Sequence, residues 1–84
     1  MKWFPSMPLP ITMPELGVPR AAVSLWFAEP GDTVYEGDRL VEILAGAATF
    51  DVSAPATGRL RERLALANDL VVPGQVLGTL EVEE

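Results

Sequence analysis

Apolar residues along this chain come in short runs of valine, leucine and isoleucine, cut by turn-forming clusters at Pro30-Gly31-Asp32, Glu36-Gly37-Asp38, Asn68-Asp69 and Pro73-Gly74. That spacing predicts short β-strands joined by tight turns. A helical period competes in one place. The run RLRERLALANDLVV, Arg59 to Val72, holds neither proline nor glycine, and a helix would set Leu60, Leu64 and Leu66 on one face.

An internal repeat decides that ambiguity. VYEGDRLVEI (Val34 to Ile43) aligns without a gap on VVPGQVLGTL (Val71 to Leu80), with Gly37 over Gly74 and Leu40 over Leu77. The same offset of 37 residues sets Gly31-Asp32 over Asn68-Asp69, Val23 over Leu60, Ala21 over Gly58 and Thr12 over Thr49. The counterpart of the ambiguous run is therefore VSLWFAEPGD, rich in valine, tryptophan and phenylalanine, which favour strands. A solenoid needs three or more stacked units, so two copies are expected to pair about an internal twofold axis. Gly31 and Asn68 occupy matching places, and both residue types accept a left-handed backbone. Asp32 and Asp69 follow them, where a carboxylate closes a turn by accepting backbone N–H bonds.

Composition narrows the chemistry. The chain has 84 residues, room for one small domain. It has no cysteine, hence no disulfide, thiolate nucleophile or cysteine metal site. It has no histidine, which removes the usual general base and the commonest zinc ligand, and leaves Ser24 and Ser53 without an activating partner. A formal net charge of −6 argues against nucleic acid, which demands clustered positive charge. No apolar run has the length of a membrane span or a signal peptide, so a cytoplasmic protein without a membrane partner is expected. Asp32, Glu36 and Asp38 lack the spacing of a calcium loop and read as turn residues.

The stretches ITMPELG, VSLWFAEPGDTVYEGDRLVEI, FDVSAPATGRL and VVPGQVL together resemble the biotinyl/lipoyl carrier domains, above all the lipoyl domains of 2-oxo acid dehydrogenase acyltransferases. The resemblance covers residues 11–82 and leaves 1–10 as an N-terminal tail. It implies an all-β barrel-sandwich hybrid, a flattened barrel of two four-stranded sheets with a quasi-twofold axis. It also implies a hairpin between the halves whose tip carries a lysine, acylated by lipoate or biotin. Aligning EILAGAATFDV with the family's E-I-E-T-D-K-A-T-V-E-V puts Ala47 at the lysine position, Gly46 at the preceding acidic residue and Leu44-Ala45 at the usual E-T. The only lysine, Lys2, lies outside the matched region.

The expected function is thus a degenerate, non-lipoylated domain: no enzyme and no cofactor, but a binding or scaffolding module for 2-oxo acid dehydrogenase or acyltransferase components. The alternative is a lipoyl or biotinyl carrier whose attachment lysine has been replaced. The candidate site is the hairpin tip, Ala45, Gly46, Ala47 and Ala48. A second candidate surface is Arg59, Arg61 and Arg63, which alternate and would share one face of a strand. Leu66, where the family usually has a charged residue, and the leading Trp3 and Phe4 are candidates for core packing or for an interface.

Overall fold

The structure is a computed structural model that describes residues 6–83, with side chains placed from Pro8 to Val82. The run from Arg59 to Val72 is not helical. It divides into a strand, a turn and a second strand, within a series β1 (Ser6–Thr12), β2 (Ala21–Trp26), β3 (Thr33–Val34), β4 (Arg39–Ala45), β5 (Ala48–Ser53), β6 (Gly58–Arg63), β7 (Leu70–Val71) and β8 (Val76–Glu83). Every pairing among the described residues is antiparallel, giving two four-stranded sheets of order β1-β8-β6-β3 and β5-β4-β2-β7. No helix long and apolar enough to cross a membrane occurs among the described residues. β1 begins at Ser6, so residues 6–10, read from sequence as part of a tail, are paired to β8. Lys2, Trp3 and Phe4 lie outside the described residues.

One core lies between the sheets. Ile11, Val23, Leu40, Val41, Ile43, Leu60, Leu77 and Leu80 are fully buried, and among the described residues no polar or charged residue is buried as a whole with them. Burying each such side chain contributes roughly 1.5–3 kcal/mol. With no disulfide, this packing and the strand ladders hold the fold.

The twofold reaches down to single hydrogen bonds. Val23 N–H donates to Asp69 O at 2.9 Å and Leu60 N–H to Asp32 O at 2.9 Å, while Gly31 N–H donates to Leu60 O and Asn68 N–H to Val23 O, each at 2.8 Å. Asp32 Oδ2 accepts from Glu29 N–H at 2.9 Å, and Asp69 Oδ2 from Leu66 N–H at 2.8 Å. Asn68 has φ of 75° and Gly31 of 98°, the left-handed backbone that both residue types tolerate. Asp38 Oδ2 accepts from Tyr35 N–H as Gln75 Oε1 does from Val72 N–H, so a carboxylate and an amide serve one turn geometry.

The sequence offset of 37 holds for three of the four strand pairs. β2 matches β6, β3 matches β7 and β4 matches β8. For β1 and β5 the offset is 41: Thr12 pairs beside Val76 where Ser53 pairs beside Arg39, and Met13 bonds Gly74 where Ala54 bonds Gly37. Thr12 therefore corresponds to Ser53 and not to Thr49. The β1–β2 connection, residues 13–20, is longer than the β5–β6 connection, residues 54–57, and the extra length absorbs the shift.

Each half also carries two β-bulges at matching places. The ladder skips Ser24 between Val23 and Leu25 on β2, and Arg61 between Leu60 and Glu62 on β6. It skips Leu40 between Arg39 and Val41 on β4, and Leu77 between Gly78 and Val76 on β8. A bulge inserts one unpaired residue and reverses the side-chain alternation beyond it. That lets Leu40 and Val41, adjacent in sequence, both be buried.

Candidate functional site

The hairpin joining the two halves is built from EILAGAATFDV. Ile43 pairs with Phe50, Leu44 with Thr49 and Ala45 with Ala48, leaving Gly46 and Ala47 as a two-residue loop. Gly46 has φ of 63° while Ala47 stays negative, the pattern of a II′ turn with glycine first. Ala45 is buried; Gly46, Ala47 and Ala48 are exposed. The nearest carboxylates on the hairpin, the paired Glu42 and Asp51, stand three residue pairs below the tip, about 10 Å at the rise of a strand.

The tip lies at the pole away from Ser6 and Glu83. Within one sheet Ser6 pairs with Glu83, and Glu81 with Arg59, which also pairs with Thr33 on β3. β3 leads through a short turn into the start of β4, so the ends of β1 and β8 sit where β4 begins, and the tip sits where it finishes.

What the tip can do chemically follows from its atoms. It offers backbone amides, carbonyls and methyl groups, and no nucleophile, acid or base. A lipoyl or biotinyl amide requires a primary amine, and none occurs from Trp3 to Glu84. Among the described residues none fits covalent attachment of either group.

The arginine surface differs from its sequence reading. The bulge at Arg61 reverses the alternation, so Arg59 faces outward beside Glu81, whereas Arg63 pairs with Gly78 on the face that also holds Leu60 and is only partly exposed. The three guanidinium groups do not form one stripe, because one extra residue between them changes which side follows. Arg59 instead lines an open cleft of about 300 Å³ with Thr33, Thr57, Gly58 and Glu81. The matching place in the other half is a cleft of about 280 Å³ lined by Pro19, Arg20, Ala21, Leu70, Val71 and Val72.

Asp32 and Asp38 close turns, as above, and among the described residues no group of three or more Asp, Glu, His or Cys lies together in metal-holding geometry. Leu66 is half exposed in the turn that Asp69 closes. Alternation alone did not reveal the outer face of the hairpin sheet, where Leu25, Leu44 and Leu70 are exposed. The signal lay in the repeat, whose other copy holds polar residues at those places.

Comparison with known proteins agrees with the fold. A profile of the family described as "Biotin-requiring enzyme", the biotin/lipoyl domain, matches residues 9–80. The dihydrolipoyllysine-residue succinyltransferase component of the 2-oxoglutarate dehydrogenase complex from Bacillus subtilis is 31% identical over 72 residues, covering 83% of this chain and 17% of that protein. The lipoamide acyltransferase component of the branched-chain alpha-keto acid dehydrogenase complex from Pseudomonas aeruginosa is 37% identical over 81 residues, covering 87% of this chain and 18% of that protein. The chain thus spans less than a fifth of the length of these relatives. The solution structure of the lipoyl domain of the 2-oxoglutarate dehydrogenase complex from Azotobacter vinelandii superposes with a TM-score of 0.67 at 27% identity, covering 83% of this chain and 94% of that domain.

Proposed function

Since the chain belongs to the biotin/lipoyl domain family, we propose that it is a member that carries no lipoate or biotin and acts as a non-catalytic binding module in 2-oxo acid dehydrogenase or related acyltransferase assemblies. One observation carries this reading: the hairpin between the two halves, whose tip the resemblance makes the place of an attachment lysine with Ala47 at that position, holds no amine to acylate. The relatives' names supply the class of assembly. The small tip, Ala45 to Ala48, allows close approach of another backbone, and Arg59 at the polar cleft offers a second, acidic-partner surface.

The measurement that tests it is the intact mass of the protein from its own cells, with affinity capture of its partners. The expected result is a mass equal to the bare chain together with recovery of a dehydrogenase or acyltransferase component. An added lipoyl or biotinyl mass, or capture without any such component, overturns the reading.

The intact hairpin also favours a second reading, a carrier whose lysine has been replaced. On that reading Ala47→Lys alone yields a substrate for lipoate or biotin ligase. On the reading preferred here Ala47→Lys stays unmodified, because Leu44, Ala45 and Gly46 also depart from the family's E-T-D.

A further inference from the structure

The internal twofold gives each surface position a counterpart in the same molecule, held by the same backbone. Across the outer face of the hairpin sheet, one lateral row runs Thr49, Leu44, Ala22, Leu70. The counterpart row across the other sheet runs Pro8, Glu81, Arg59, Thr33. Leu44 is 46% exposed where its counterpart is Glu81, and Leu70 is 73% exposed where its counterpart is Thr33. Leu25 stands likewise against Glu62, and Leu66 against Glu29. One copy of the scaffold folds with charged and polar residues at these places, so the leucines of the other copy are not there for the fold. Leu25, Leu44 and Leu70 share the outer face of one sheet, and exposed apolar area on the order of a few hundred Å² marks a binding face.

The same face has an unmatched charge. Glu42 lies between Asp51 and Leu25 in the ladder and is half-buried. Asp51 meets Arg39 at 3.5 Å, and Arg39 stacks over Phe27 at 4.5 Å from the ring centre, whereas Glu42 has no ion pair among the described residues. A carboxylate set among exposed leucines is complemented by a cation brought from outside.

We infer that the outer face of β5-β4-β2-β7, centred on Leu44 and Leu70, docks a protein surface of apolar side chains with a lysine or arginine placed against Glu42. This deepens the binding-module reading and rests on it. With a net charge of −6 on each chain, long-range repulsion works against a second copy and against anionic membranes and nucleic acids, and favours a basic partner.

The test uses the isotope-labelled protein and two synthetic amphipathic helical peptides that share a leucine stripe, one flanked by lysines and the other by glutamates. The lysine-flanked peptide is expected to shift the amides of Leu25, Leu44 and Leu70, with binding weakened by salt. The double variant Leu44→Glu/Leu70→Thr carries the residues of the counterpart face and should bind at least about tenfold more weakly. If that variant does not fold, Leu25→Glu, matching Glu62, takes its place. Glu42→Gln should lose the salt dependence. Equal response to both peptides, shifts centred on Thr33 and Arg59, or unchanged binding by the variants overturns the inference. So do concentration-dependent shifts on this face without peptide, which would mean a second copy. These readouts are independent of the mass and capture experiment: a bare, partner-bound protein whose leucine face ignores the peptide keeps the module reading and sinks the face.

Discussion

Gly78 has little freedom to change. A Cβ there would stand 2.5 Å from the Glu62 carbonyl and 2.9 Å from the Trp26 ring, whose Nε1 is held by donating to Ala65 O at 2.7 Å. Gly78→Ala should cost about 1–3 kcal/mol, read as a lower denaturation midpoint, because backbone and an anchored indole must both move. Thr79, its neighbour, has a buried hydroxyl without a hydrogen-bond partner. Thr79→Val should therefore leave stability unchanged or raise it by up to about 1 kcal/mol in the same assay. Neither feature was readable in the sequence, where Gly78 stands between two leucine-bearing segments like any strand glycine. What excludes a side chain comes from the neighbouring strand β6 and from Trp26 of the opposite sheet, both distant along the chain. The turn residues are the contrary case: Gly31 and Asn68 announce a positive φ by their identity alone. Gly31→Asn should be tolerated within about 1 kcal/mol, since Asn68 already serves the same place, while Gly31→Val should cost more than that.

For whole elements the decisive feature is the bulge. Strand content was legible from short apolar runs and turn chemistry, and the repeat removed the helical alternative for Arg59 to Val72. The faces of β6 were not legible, because an alternating R-L-R-E-R pattern looks regular whether or not a residue is skipped. Once Arg61 is the unpaired residue, its side chain and its presence have separate consequences. Arg61→Ala should change stability by less than about 0.5 kcal/mol. Deleting Arg61 should unfold the domain, since either Leu60 or everything beyond it must turn to the wrong side. Circular dichroism and a denaturant titration of the two variants distinguish a charge effect from a register effect.

Over the whole molecule, the sequence carried the twofold, the family frame and the hairpin that positions the candidate site. It concealed the four-residue change of offset at β1, because Thr12 and Thr49 match by type while Thr12 and Ser53 match by place. It also concealed where β1 begins, since the prolines at 8 and 10 read as a tail and yet are tolerated on an edge strand. The pair Ser6 and Glu83 holds the position in one sheet that Ala47 and Gly46 hold in the other, with Met7–Val82 standing for Ala48–Ala45. With residues 1–5 and Glu84 removed, a peptide bond from residue 83 to Ser6, with Glu83→Gly to supply the positive φ, would thus recreate the hairpin loop. Opening the chain between Gly46 and Ala47 would then give a circular permutant whose strands succeed one another in the parental pattern, with the two halves exchanged in order. Such a protein would fold by the same wiring, and the loop that a carrier uses for its cargo would become its free ends.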